Sequence, residues 1–401
     1  MATQTSSASA SASTSGGEVD TFQLQLSSGN GPVYRTVLRT PLRDATPDEI
    51  PIIDISGIFS SSFEGRLAVA RKIHDAATNN GFFYIKGHGI PSTVTDSAHQ
   101  ACLDFFRQDI DTKQKANAEK STYFNGYKPP KTQRINPTEG IDNRETFSWT
   151  YDPRCDPAVG DLSSIPEQIR EFMRVEPDGP EGSEDDRFPW SETKTVPHFK
   201  PAVVDYWRSC LALARRLVQS FALSLDLPET FFDAKFSHPD AALALNYYPP
   251  ITPRPAGPGR SPGGGEDEEE VSIGSHTDFQ LFTMLWQDAN GGLQVLNRQG
   301  QWINAKPVEG TFVVNIADYL QRITNDKYIS TVHRAVNNSG KERISMPFFF
   351  GFNCNESCGV LDSCVGADGV RKYEEVGCLE WVKRRVKAMH DTETGKAVGS
   401  R

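Results

Sequence analysis

VSIGSHTDFQLFTML, residues 271–285, places His276 and Asp278 one residue apart behind a short β-prone run. In an extended segment, residues i and i+2 leave the chain on the same side, so both side chains reach one point. A second β-rich run, KYISTV, leads into His333, 55 residues after Asp278. Two imidazoles and one carboxylate make up the facial set that holds Fe(II) and leaves its remaining positions open to substrates and O2. Taken alone, the H-x-D pair is better explained as a hydrogen-bonded pair closing a strand. The flanking segments change that weighting.

Ten residues after His333 stands Arg343, and two further on Ser345, inside ERISMPFFFGF. Positions 343, 345, 347 and 349 share one face of a strand. A guanidinium offers a planar fork to a carboxylate, and the serine hydroxyl adds a donor. Upstream, LALNYYPP sets Ala244, Asn246 and Tyr248 on one face by the same alternation, and the Tyr248 hydroxyl is a third candidate donor. The plainer alternatives are a surface ion pair for Arg343 and a core tyrosine for Tyr248.

The ordered segments IPIIDISGI (50–58), NNGFFYIKGHGIP (79–91), NYYPP (246–250), SHTDF (275–279), GGLQV (291–295), Trp302, NIADYLQRITNDKYISTVHR (315–334) and RISMPFFF (343–350) resemble the Fe(II)/2-oxoglutarate-dependent dioxygenases of the isopenicillin N synthase-like branch. The resemblance spans roughly residues 30–390, and the joint order is far more specific than any one piece. It implies a mainly β fold with flanking helices around a double-stranded β-helix, or jelly roll, core. It implies iron ligands at His276, Asp278 and His333. Arg343 and Ser345 match the pair that binds the distal carboxylate of 2-oxoglutarate, and Asn246 and Tyr248 match an Asn-x-Tyr-Pro element that helps hold this cosubstrate. Phe349 matches a position that stacks on the organic substrate. His88, in Gly87-His88-Gly89, matches a structural motif and is read as a packing residue. The implied cofactors are Fe(II), 2-oxoglutarate and O2, with ascorbate compatible as a reductant. The implied reaction oxidises a small organic substrate by hydroxylation, desaturation or oxidative cyclisation in specialised-metabolite biosynthesis, releasing succinate and CO2. In halogenating relatives a small residue replaces the carboxylate, so Asp278 argues against that chemistry. Two alternatives stay open: an oxidase of the same fold that uses no 2-oxoglutarate, with Arg343 and Ser345 serving the substrate, and a non-catalytic ligand-binding relative.

Composition narrows the remaining classes. The 401 residues are 37% hydrophobic and include 23 Phe, 11 Tyr and 6 Trp, enough for a sizeable core. The net charge is −10, and no basic stretch is interleaved with aromatics, so a nucleic-acid partner is not expected. No apolar run reaches membrane-spanning length. Seven cysteines, with Cys354, Cys358 and Cys364 clustered but lacking a CxxC pair, read as scattered cytosolic thiols and not as a zinc site. The N-terminal MATQTSSASASASTSGGEVD lacks both an apolar signal core and arginine. A cytoplasmic enzyme is expected, with a small-molecule partner; the sequence does not decide its oligomeric state.

Along the chain, residues 1–30 read as a disordered tail. Residues 31–200 form an N-terminal helical and β region walling the substrate pocket, 201–375 the catalytic jelly roll, and 376–401 a C-terminal helix and tail. FEGRLAVARKIHDAATNN has helical spacing and stops at Asn80-Gly81. STVTDSAHQACLDFFRQDIDTKQKA suggests a second helix, and KPAVVDYWRSCLALARRLVQSFALSLDL the clearest amphipathic one. In NRETFSW, Phe147 and Trp149 share a face with Glu145 and are candidate pocket-wall residues, with ordinary core aromatics as the alternative. PRPAGPGRSPGGGEDEEE, within 251–270, is expected to be a mobile acidic loop, with a role over the site entrance or none.

Overall fold

Apolar residues alternating with polar or small ones dictate the central strands, and long 3.6-period runs supply their cover. The computed structural model describes residues 20–121, 125–173, 188–251 and 271–391. In chain order its strands are β1 (Thr21–Leu26), β2 (Val33–Leu38), β3 (Arg43–Asp44), β4 (Ile52–Asp54), β5 (Phe82–Lys86), β6 (Gly126–Lys128), β7 (Glu145–Trp149), β8 (Pro239–Tyr248), β9 (Ile273–His276), β10 (Phe282–Gln287), β11 (Leu293–Leu296), β12 (Trp302–Asn304), β13 (Phe312–Ile316), β14 (His333–Ala335) and β15 (Arg343–Asn353). Eight form one sheet, in the order β4-β5-β13-β10-β15-β8-β7-β6, and five form a second, in the order β3-β12-β11-β14-β9. This is the mainly β jelly roll implied by the sequence.

The large sheet has two unlike faces. On its outer face, Ile344, Met346, Phe348 and Phe350 of β15 and Ala241, Leu243 and Leu245 of β8 are buried against the helix Phe199–Ser224. Each of the Ile, Leu, Met and Phe side chains contributes about 1.5–3 kcal/mol on burial. The polar tips there are satisfied: Tyr206 Oη donates to the Met346 carbonyl at 2.8 Å, and Trp207 Nε1 to the Ala241 carbonyl at 3.2 Å. The inner face carries the alternate residues and holds the site.

The first helix, Phe63–Asn79, is capped by Ser62, whose hydroxyl accepts from Gly65 N at 3.4 Å. Gly81 follows at φ +67°, where an added Cβ would lie 1.9 Å from the Ile329 carbonyl oxygen. That close approach, beyond the turn itself, requires glycine.

Two sequence expectations need correction here. Residues 1–19 lie outside the described residues, but the expected tail is not disordered throughout. Thr21–Leu26 pairs with Val33–Leu38, burying Leu24 and Leu26 beside Val37, Leu296 and Trp302. The FQLQL alternation is that of a half-buried strand. The expected second helix is split into Ser92–Phe106 and Ile110–Lys115, because Asp109 caps the second piece, accepting from Thr112 N at 2.8 Å. Glu167–Met173 forms a short helix, and residues 174–187 lie outside the described residues. The insertion at 252–270 also lies outside them. All seven cysteines are free thiols. No helix among the described residues is long and apolar enough to cross a membrane.

Candidate active site

The small sheet brings two histidines face to face. His276 ends β9, His333 begins β14, and the two are paired directly across the antiparallel ladder, their rings 4.3 Å apart. Asp278 lies just past the end of β9, so its position comes from tertiary contacts and not from the strand. Its backbone carbonyl accepts from Asp318 N at 2.9 Å. Its Oδ2 accepts from Thr283 Oγ1 at 2.5 Å and from Asn315 Nδ2 at 2.7 Å, both on the inner face of the large sheet. The three side chains form a group whose ligand atoms all lie within 4.8 Å of one another.

The hydrogen bonds sort these atoms by role. His276 Nδ1 lies 2.8 Å from the Gly274 carbonyl, and His333 Nδ1 lies 3.1 Å from the Thr331 carbonyl. A carbonyl only accepts, so each Nδ1 carries a proton and each Nε2 is the ring nitrogen turned toward Asp278. Those two Nε2 atoms lie 3.6 and 3.8 Å from Asp278 Oδ1, the carboxylate oxygen left free. Burial, then the neighbouring His333, push the His276 imidazolium well down, so His276 is neutral. Burial alone would raise the Asp278 carboxyl. The two imidazoles and the donors Asn315 and Thr283 outweigh it and hold Asp278 below its ordinary value. Two imidazoles and a carboxylate, with both Nε2 atoms and the free carboxylate oxygen turned toward one another, fit a divalent transition metal.

Behind this cluster the C-terminal helix, Cys378–Asp391, grips the segment around Asp278. Trp381 Nε1 donates to the Phe279 carbonyl at 2.8 Å. Arg385 is buried; its Nη2 reaches Asp318 Oδ2 at 3.1 Å and Thr277 Oγ1 at 3.2 Å, and its Nη1 donates to the Ser27 carbonyl in the β1–β2 turn at 2.5 Å.

Register across the large sheet lays out the rest. Asn315 opposes Thr283, Thr283 opposes Phe349, and Phe349 opposes Ala242. Four residues along β10, Gln287 opposes Ser345, Ser345 opposes Asn246, and Asn246 opposes Thr146. Directly opposed residues project to the same side, so both rows line the inner face. Half-buried Phe349 lies in the row of the two Asp278 donors, beside the small Ala242.

Arg343 lies two residues beyond that second row on the same face, opposite Tyr248. It is 2% exposed, and its guanidinium sits 4.5 Å over the Tyr248 ring. Nε donates to the Gly291 carbonyl and Nη2 to Gln287 Oε1 at 3.1 Å. Nη1 is buried without a hydrogen-bond partner among the described residues. Beside it, Ser345 Oγ lies 3.0 Å from Tyr248 Oη and 3.5 Å from Asn246 Nδ2. A cation buried with one fork position open calls for an incoming anion. Gly292 makes this approach feasible: at φ +101°, an added Cβ would lie 2.6 Å from the Val336 carbonyl oxygen and 3.4 Å from Arg343 Nε.

The structure therefore brings together His276, Asp278, His333, Arg343, Ser345, Tyr248, Asn246 and Phe349. It does not bring Phe147 and Trp149 into the pocket. Phe147 opposes Leu245 and Trp149 opposes Leu243, so both project to the outer face. There they pack among Trp190, Phe199 and Trp207. Thr146 and Ser148 are the inward residues of β7. Sequence reasoning also passed over Thr283, Asn315, Gln287 and Arg144, whose types are too common to stand out before the strands are paired. His88 is where a packing role would put it, with Nδ1 accepting from Ile90 N at 3.1 Å and its ring edge-on to Phe312.

Comparison with known proteins identifies the family. The family described as the 2OG-Fe(II) oxygenase superfamily matches residues 239–352, and the family described as non-haem dioxygenase in morphine synthesis N-terminal matches residues 50–177. The chain is 60% identical over 380 residues to the 2-oxoglutarate-Fe(II) type oxidoreductase ppzC of Metarhizium majus, covering 94% of this chain and 96% of that one. It is 31% identical over 325 residues to the homoarginine-6-hydroxylase 2-ODD-C23 of Glycine max, covering 78% and 88%. In fold it is similar to a full-length Neurospora crassa protein solved in complex with alpha-KG and 5-formyluracil, with a TM-score of 0.65 at 24% identity, covering 88% of this chain and 100% of that one. The chain belongs to the 2OG-Fe(II) oxygenase superfamily and is an oxidoreductase that works with iron, 2-oxoglutarate and O2.

Proposed function

We propose that His276, Asp278 and His333 hold the iron, and that Arg343, Ser345 and Tyr248, steadied by Asn246, receive the distal carboxylate of 2-oxoglutarate. The substrate is a small organic molecule of specialised metabolism, oxidised at carbon beside Phe349. Hydroxylation is the default outcome, with desaturation and oxidative cyclisation as the other outcomes. The observation that carries this reading is the buried Arg343 with an open Nη1, two residues from Ser345 on the face that also bears the Asp278 donors. The homoarginine-6-hydroxylase of Glycine max, a hydroxylase by name, supports the default outcome.

When bound, iron and 2-oxoglutarate together supply the O2-derived oxidant that removes hydrogen from the substrate carbon, with succinate and CO2 as coproducts. The protein's share is positional. The Gly274 and Thr331 carbonyls keep both Nε2 lone pairs turned inward. Thr283 and Asn315 occupy one Asp278 oxygen and leave the other free. Arg343 fixes the far end of the cosubstrate by charge-assisted hydrogen bonds, each contributing about 1.5–3 kcal/mol. Phe349 and Ala242 present an apolar surface that positions carbon over the metal end and excludes water. The test is spectroscopic: Fe(II) and then 2-oxoglutarate are added to the anaerobic protein. A visible charge-transfer band that needs both additions, and that Arg343→Met abolishes at the same cosubstrate concentration, is expected. A band unaffected by that substitution would remove Arg343 from the cosubstrate.

A further inference from the structure

β9 is an edge strand of the small sheet, paired only with β14. Its other edge is closed by side chains from residues 136–142. Asn136, 1% exposed, donates from Nδ2 to the Ser275 carbonyl at 2.9 Å and to the Gln25 carbonyl at 3.0 Å. Its Oδ1 accepts from Thr138 N at 2.9 Å, a local turn that delivers Glu139 to the strand. Glu139 Oε1 accepts from Ser275 Oγ at 2.7 Å, and Oε2 accepts from Ser275 N. Asp142 Oδ1 accepts from Gly274 N at 3.2 Å. Gly274 leaves room for this: an added Cβ would lie 2.9 Å from Glu139 Oε2 and 3.1 Å from Asn136 Cβ.

Closing an edge strand needs only acceptors and donors for its free backbone groups. Glu139 stands where it does more. The carbonyl of Gly274 and the N–H of Ser275 belong to one planar peptide group. That carbonyl accepts from His276 Nδ1 at 2.8 Å, and that N–H donates to the Glu139 carboxylate. An unbroken line therefore runs from carboxylate through peptide to imidazole, and ends at Nε2, the ring nitrogen turned toward Asp278. A charge-assisted bond at the N–H polarises the peptide, so its oxygen holds the Nδ1 proton more strongly and Nε2 becomes the better donor. The Asp142 anchor lacks this path, because Gly274 N belongs to the preceding peptide, whose carbonyl is that of Ile273. His333 has no counterpart either. Its Nδ1 faces the Thr331 carbonyl at 3.1 Å, and among the described residues no carboxylate accepts from Val332 N, the other end of that peptide.

We propose that Glu139 is a positioning residue for the reaction, acting through the Gly274–Ser275 peptide to orient His276 and to strengthen its bond to the iron. This rests on the assignment of the iron ligands given above. The two histidines are then unequal donors: His276 is backed by a carboxylate one peptide away, and His333 by a peptide alone.

The experiment uses the full-length protein under anaerobic conditions. Fe(II) affinity is measured by titration against a competing chelator, and the charge-transfer band is then recorded with 2-oxoglutarate. Glu139→Gln keeps an acceptor for Ser275 N and removes the charge, whereas Glu139→Ala removes both. Asp142→Asn perturbs the neighbouring anchor on the same strand and is the control. Iron affinity is expected to fall by about 10–100-fold in Glu139→Ala, with Glu139→Gln between that variant and the parent. The band should move to shorter wavelength in both, because a weaker donor leaves the iron poorer in electrons, and should stay in place in Asp142→Asn. Parent-like affinity and band position in Glu139→Gln would overturn the proposal. So would equal changes in Asp142→Asn and Glu139→Gln, which would reduce Glu139 to an anchor for the edge strand. His276→Ala guards the underlying reading: unchanged iron affinity in that variant sinks the ligand assignment itself, and not Glu139 alone.

Discussion

The two ends of the active site are built on opposite principles. At the metal end, every atom not pointed at the shared centre is already satisfied: both Nδ1 atoms by carbonyls, and Asp278 Oδ2 by Thr283 and Asn315. At the other end, Arg343 is buried with Nη1 unpaired among the described residues. The first arrangement suits a resident partner and leaves little to reorganise. The second suits a partner that enters and leaves with each turnover, because the protein alone never fully stabilises it.

That contrast can be broken in several places. The largest effect belongs to Asp278→Ala, which removes the only anionic member of the metal end. Iron-dependent succinate release should be abolished and bound iron, measured by metal analysis, lost; undiminished turnover would falsify the ligand assignment. Next comes Arg343→Met. Removing one partner of a buried charged contact costs about 3–5 kcal/mol, so the KM for 2-oxoglutarate should rise by roughly 10²–10⁴. Iron content should stay unchanged, and a loss of iron here would mean that the two ends are not separable. Smaller effects are expected from Thr283→Val and Asn315→Ala. Substitutions behind a metal ligand typically cost about 10–100-fold in metal affinity, readable by titration with a competing chelator. If either variant binds iron as the parent does, the Asp278 orientation is set elsewhere. The mildest test is thermal. A divalent metal at about 100 times its Kd adds about 2.7 kcal/mol, whereas 2-oxoglutarate without metal should shift the melting temperature much less. Equal shifts would show that the Arg343 end closes on its cosubstrate independently.

Part of the candidate site was legible in the chain where its elements are local, although Asp278 itself lies past the end of β9 and is placed by tertiary contacts. His276 and Asp278 are two residues apart, and Arg343, Ser345 and Phe349 fall in phase on one strand, as do Asn246 and Tyr248. What could not be read depends on pairing. Alternation correctly put Phe147, Trp149 and Glu145 on one side of β7, but periodicity gives a period and not a phase. The phase comes from Thr146 lying opposite Asn246, known only once β7 and β8 are aligned. Glu145 confirms the outer placement by its buried contacts with Lys113 and Tyr127, each at 2.5 Å. Thr283 and Asn315 become recognisable only when β10 and β13 are brought under Asp278. The β1–β2 hairpin was missed because a low-complexity Ser/Ala/Thr stretch runs directly into it, and the change to FQLQL spans only a few residues.

The grip on the Asp278 segment has a consequence for a shortened chain. Arg385 bonds at once to Ser27 in the first hairpin, to Thr277 between two ligand positions, and to Asp318. Asp318 in turn accepts from Ser330, three residues before His333. A chain cut before Cys378 would therefore keep all three candidate ligand residues and lose the contacts that tie Thr277 and Asp318 to the first hairpin.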